Sequence, residues 1–358
     1  MRNTTCLPLC LLLACLTVGC QSPSVATEQT AEVSVPVRAN SEVADARSAA
    51  NALLGSLTDE QQELALRPIG DPLRQDWHYV PRQREGLKFG DMTAEQKALL
   101  HELMQTALSD AGYLRSIDII WLEMLLYEQS NQNPVRSPNN YALVIFGDPT
   151  DPAEAWGWRL EGHHLSMNLT YTGQSIGVTP LFFGTNPAVV PEGPLAGTRV
   201  LSDVHDQAIS LALSLSAEQR EQMMIAEKPR DVITSPGNES SLEEPAGLSI
   251  DDMSQEQQDL LLRLMLAHLA NFDDEHAGAL YSRVVNLFGN GPILLGYHFS
   301  WAGPIDPDGA FYYRIHGPRF VIEYSCISPS HVHAVMHDLA DPLQHDMLQR
   351  HYEEHDHE

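Results

Sequence analysis

The sequence predicts an α+β protein built from an internally duplicated unit. Each copy is expected to be helices followed by an antiparallel meander, the two halves related by a pseudo-twofold and sharing one core. Three observations predict it. The segment Gly86-Leu-Lys-Phe-Gly-Asp-Met-Thr-Ala-Glu-Gln-Lys-Ala-Leu-Leu-His-Glu-Leu-Met aligns with Gly247-Leu-Ser-Ile-Asp-Asp-Met-Ser-Gln-Glu-Gln-Gln-Asp-Leu-Leu-Leu-Arg-Leu-Met, and ten of nineteen positions are identical. Farther on, Pro149-Thr-Asp-Pro-Ala-Glu-Ala-Trp-Gly-Trp-Arg-Leu-Glu-Gly matches Pro304-Ile-Asp-Pro-Asp-Gly-Ala-Phe-Tyr-Tyr-Arg-Ile-His-Gly in the same order. Within each stretch, apolar residues first recur at helical spacing and then alternate in short aromatic and β-branched runs. The repeats cover about 57–187 and 214–342 of a single domain at 41–352.

The chain opens with one basic side chain, Arg2, and an apolar run over 6–18 that is too short to span a bilayer. The run ends at Leu16-Thr-Val-Gly-Cys20, and the polar Gln-Ser-Pro-Ser follows. Small Gly19 before a cysteine resembles a lipobox, so 1–20 is expected to be a signal peptide and Cys20 the acylated residue. Leu12-Leu-Ala-Cys15 is the alternative box, with a shorter apolar run interrupted by Pro8. Residues 21–40 have no helical stripe and suit a flexible tether. The expectation is an exported protein, lipid-anchored to the bacterial cell envelope on its periplasmic or outer face.

Four of the five cysteines precede residue 21, which leaves Cys326 alone in the folded part and excludes an internal disulfide there. The formal net charge of −27 opposes nucleic acid and anionic lipid surfaces, whose charges would repel it. The expected partners are the membrane holding the anchor and a small-molecule or envelope ligand.

Helix starts follow from caps: Thr93 and Ser254 each precede an amphipathic stripe with glutamine three residues on. Leu57-Thr-Asp-Glu-Gln-Gln and Leu215-Ser-Ala-Glu-Gln-Arg mark two further starts. Strands are expected at 141–146, 156–171, 176–183, 294–301, 311–324 and 331–336. Residues 228–244 lack periodicity and read as a surface loop. The end, 350–358, is charged and rich in histidine, and 353–358 is expected to be a disordered tail.

Several of these stretches resemble one family. They are Trp156-Gly-Trp-Arg-Leu-Glu-Gly-His-His-Leu-Ser-Met-Asn, Thr179-Pro-Leu-Phe-Phe-Gly-Thr-Asn-Pro, Tyr313-Arg-Ile-His-Gly-Pro with Ile322-Glu323, and His331-Val-His333 with His351-Tyr352. Together they resemble the domain-of-unknown-function 3500 family over about 44–352. The resemblance implies a single-domain exported protein and brings no reaction with it. One departure is His337-Asp338, where the family tends to carry Arg-Asp.

The chemistry-bearing residues form one constellation. His331 and His333, two apart on a strand, share a face, as do Glu161 and His163. Imidazole and carboxylate ligands suit a divalent transition metal such as Zn. The metal set is therefore His331 and His333 with His163 or His164, which in a continuous strand point to opposite faces. Glu161 or Glu323 is the expected base on bound water. Arg159 and Arg314, equivalent in the two repeats, offer planar forks for an anionic substrate. Ser166 and Asn168 form a polar strand face, and Trp158 is placed to line a pocket rim. Gly173-Gln-Ser-Ile-Gly matches a nucleophile elbow literally, but Val178-Thr-Pro180 after it reads as strand, so a hairpin turn is expected instead. Two functions from different classes follow: a metal-dependent hydrolase-like enzyme, and a non-catalytic lipid-anchored protein binding its ligand in a cleft between the halves.

Overall fold

A computed structural model describes residues 42–354 apart from positions 174, 194, 240, 243, 285, 289, 290, 294, 342 and 343. The signal peptide, Cys15, Cys20, the tether, His355 and His357 lie outside the described residues. The helices are α1 (Glu42–Gly55), α2 (Asp59–Ala65), α3 (Ala94–Gln105), α4 (Asp110–Gln129), α5 (Ser202–Ser214), α6 (Ala217–Met223), α7 (Gln255–Leu269), α8 (Asp274–Val284) and α9 (His345–Glu354). The strands of the first half are β1 (Leu66–Arg67), β2 (Leu87–Lys88), β3 (Ala142–Gly147), β4 (Trp156–Gly162), β5 (Leu165–Thr172), β6 (Ser175–Gly177) and β7 (Leu181–Thr185). Those of the second are β8 (Met224–Ala226), β9 (Leu248–Ser249), β10 (Asn286–Phe288), β11 (Gly291–Ile293), β12 (His298–Ala302), β13 (Phe311–His316), β14 (Phe320–Ser328) and β15 (His331–Asp338). The class is α+β.

The four anticipated helix starts are real and share one device. Thr58, Thr93, Ser216 and Ser254 each cap a helix through a capping box whose third residue is glutamine. The glutamines then pair between helices. Gln61 and Gln96 exchange amide hydrogen bonds at 3.1 and 2.7 Å, and Gln219 and Gln257 do so at 2.9 and 3.0 Å.

Among the described residues one large sheet runs β1-β3-β4-β5-β7-β15-β14-β13-β12-β8, and β10 and β11 form a separate hairpin. The first and last strands of the run, β1 and β8, pair parallel to β3 and β12, whereas the junction of β7 with β15 is antiparallel. Alternation sorts the side chains. Trp156, Trp158, Leu160, Tyr313, Ile315, Tyr324 and Met336 enter the main core beneath the helices. Their neighbours Arg159, Glu161, Arg314, Glu323 and His333 face the other way, where the segments around Trp77 and Val232 cover the sheet with Tyr79, Phe182 and Val335.

Five expectations need correction. The strand over 156–171 is two strands reversing at His163-His164, and that over 311–324 is two strands reversing after His316. The run over 176–183 breaks at the cis peptide Thr179-Pro180. The segment 228–244 is no free surface loop, because Glu323 accepts from the backbone N–H of Ile233 and Thr234, each at 2.8 Å, and holds it against the sheet. The C-terminal residues as far as Glu354 are helical in α9 rather than frayed.

Candidate metal centre

The centre begins with a turn that no local signal announces. His163 and His164 connect β4 to β5, and His164 adopts φ of +64°, a left-handed conformation uncommon outside glycine, though histidine enters it more readily than most residues. Tertiary contacts impose it. His164 N–H donates to Tyr79 O at 3.1 Å, Arg84 donates to Gly162 O at 2.8 Å, and Tyr141 OH donates to His163 O. The two imidazoles therefore do not point to opposite faces. They stack, with centroids 3.7 Å apart and planes 27° apart.

β7 lies between β5 and β15, so His164 must reach across it to meet the histidines of β15. Gly184 makes this possible. It sits opposite His333, its N–H donates to His164 O at 2.7 Å, and a Cβ there would lie 2.9 Å from His164 Cδ2. Across that gap His164 Nε2 meets His331 Nε2 at 2.9 Å, and the His331 and His333 rings are 4.4 Å apart. One ligating atom from each of His164, His331 and His333 lies within 4.8 Å of the others. Two nitrogens each about 2.1 Å from a tetrahedral ion are about 3.4 Å apart, so this pair parts by about half an ångström to hold one between them.

The surroundings fit a metal. Asp231, from the strapped segment, binds His333 Nδ1 at 2.7 Å and so leaves Nε2 as the ligating nitrogen. Burial lowers the basicity of His164 and His331, the latter to about 4, which keeps both rings in the neutral form that ligates. His164 is buried and His331 half-buried, so the cluster has one side toward solvent.

A second grouping joins Glu123, His163 and His164. Both Glu123 oxygens lie within 2.8 Å of His163 Nδ1, and one lies 4.0 Å from His164 Nδ1. Stacked rings aim their in-plane lone pairs side by side, so a single ion would sit outside both planes. We read Glu123 as the carboxylate that orients these two rings. Desolvation pushes Glu123 up and His163 down, which favours a neutral acid beside a neutral imidazole.

The other expected residues lie elsewhere. Glu161 does not join the histidines: it accepts from His78 N–H at 2.7 Å, with Arg84 at 3.4 Å and Arg159 at 3.6 Å. Glu323 is saturated by Ile233, Thr234 and Tyr312, the last at 2.5 Å, so it anchors a segment and has no lone pair placed for a base. Arg159 also donates to Leu73 O at 2.9 Å. Arg314 faces the same side on the far half, and among the described residues its Nε has no hydrogen-bond partner and no contact brings it to Arg159. Ser166 and Asn168 share the covered face, where Asn168 donates to Pro180 O at 2.8 Å. Trp158 is core beneath the helices and, with Arg159 and Asn168, lines a small pocket whose walls include none of the histidines. Ser175 is followed by strand, so the elbow motif is a hairpin element. His345 and His351 belong to α9.

Three contributors escaped the sequence: Glu123, Asp231 and Gly184. Only Glu123 left a trace, a carboxylate inside the apolar run Ile119-Ile-Trp-Leu-Glu-Met-Leu-Leu.

Among known proteins, the profile of a family described as "Protein of unknown function (DUF3500)" matches residues 39–341. No curated protein matches the chain. No solved structure matches it either.

Proposed function

The chain belongs to the DUF3500 family, and from the geometry of its histidine cluster we propose that it is an exported, lipid-anchored metal-dependent hydrolase. His164, His331 and His333 hold the ion. The observation that carries this reading is the 2.9 Å approach of His164 Nε2 to His331 Nε2, with His333 turned by Asp231 so that its free nitrogen joins them. An ion held by three imidazoles keeps a position for water and lowers that water's pKa toward neutrality. Glu161 and Glu323 are engaged elsewhere, so neither is placed as the base on that water. The head-to-head strand order and the doubled glutamine pairs support a duplicated origin for the domain.

The test is metal content by inductively coupled plasma mass spectrometry on the full chain and on His331→Ala/His333→Ala. Near-stoichiometric zinc or another transition metal, absent from the variant, is expected, together with chelator-sensitive hydrolysis of a chromogenic ester or phosphate. Folded wild-type protein free of metal after incubation with zinc would reject the centre. Bound metal without hydrolysis would select the second reading, a non-catalytic lipid-anchored ligand-binding protein. The engagement of both expected carboxylate bases away from the histidines favours that reading.

A further inference from the structure

On the helix side of the sheet, across it from the histidines, lies a cavity of about 390 Å³. Its floor is the main core itself: Leu201, Tyr324, Cys326 and Val332. That volume falls within the range of small-molecule pockets.

The buried polar side chains lining it bear on its guest, because they are already satisfied within the protein. His205 Nδ1 pairs with Tyr324 OH at 2.8 Å and its Nε2 with Pro307 O at 2.9 Å. Thr185 donates to Pro187 O at 2.7 Å, and Cys326 to Ser328 O at 3.1 Å. Arg199 is locked onto Asp206 through two bonds of 2.9 and 2.7 Å. A guest therefore meets no buried donor or acceptor in need of a partner, and apolar contact is what the walls offer. The mouth is charged. Arg199 and Asp206 cancel, and the exposed Asp308 leaves one negative charge over.

We infer that this cavity binds a small amphiphile with an apolar body and a neutral or cationic head, and discriminates against an anionic one. Nothing in the inference depends on the metal centre, from which the sheet separates it.

The full chain is titrated with the neutral fluorophore N-phenyl-1-naphthylamine, which is then displaced by decylammonium or by decanoate. Saturable binding is expected, with decylammonium about fivefold more effective, the size of effect one exposed charge supplies. Asp308→Lys should erase or reverse that preference without affecting folding. Ala188→Trp, which narrows the cavity, should weaken the probe about tenfold. Absence of saturable binding, or displacement by decanoate as effective as by decylammonium, overturns the inference. So does an Ala188→Trp protein that melts normally and binds unchanged. If that variant does not fold, an unaltered preference in Asp308→Lys overturns it alone.

Discussion

At the scale of single residues, the centre depends on what Gly184 lacks. A methyl group there would press on His164 Cδ2 at 2.9 Å and on Val332 O at 3.0 Å. Since neither the ring nor the strand has room to retreat, Gly184→Ala should cost about 1 to 3 kcal/mol of stability and swing His164 away from His331. Zinc affinity, measured by competition with a chromogenic chelator, should fall in step. Asp231 is the milder probe, because its side chain is 41% exposed and its removal leaves no hole. Asp231→Asn should keep the melting temperature while weakening zinc about ten- to a hundredfold, the usual consequence of losing an orienting carboxylate. Unchanged affinity would remove Asp231 from the centre. The legibility of the site divides along the same line. His331 and His333 could be read because their relation is two residues along a strand. His164 reached them only through φ of +64° and a missing Cβ on a third strand, and neither leaves a pattern in the chain.

At the scale of elements, four capped helix starts were legible and the strand ends were not. A helix start is written locally, in a cap and a glutamine three residues on, so all four stood where Thr58, Thr93, Ser216 and Ser254 placed them. The β4–β5 reversal carries histidines at both turn positions after Gly162, and Tyr79, Arg84 and Tyr141 hold it from outside. The glutamine pairs turn two caps into one joint. Gln96 is buried, bonds to Gln61 and also donates to Ser56 O at 3.0 Å. Gln96→Ala should therefore cost more than the roughly 1 kcal/mol of an ordinary lost cap, whereas Thr93→Ala should cost about that amount. Chemical denaturation of the two variants checks the order.

For the whole molecule, the buried histidines set the acid limit of stability. His268 lies beneath the sheet with Nε2 2.9 Å from Tyr313 OH, and burial lowers it to about 3. The unfolded chain, with an ordinary imidazole near 6.5, takes up the proton first. The folded state thus has its full advantage above about 6.5 and loses it as the pH falls toward 3, by an order of 2 to 3 kcal/mol two units below the ordinary value. Urea midpoints measured down that range should fall steadily in the wild type and less steeply in His268→Gln. Equal slopes would assign the acid sensitivity to other groups.

The place of β15 has a consequence for how the protein comes into being. It is the last strand in the chain yet lies in the middle of the sheet, between β7 and β14, and it brings His331 to a partner 167 residues earlier. Until it is made, the nascent chain carries two unpaired inner edges, the kind of surface that invites aggregation and chaperones. A message cut short before codon 331 yields only an open sheet that lacks His331 and His333. Synthesis completes the scaffold and the site in the same few residues, so a chain that has passed folding surveillance has its three histidines in place.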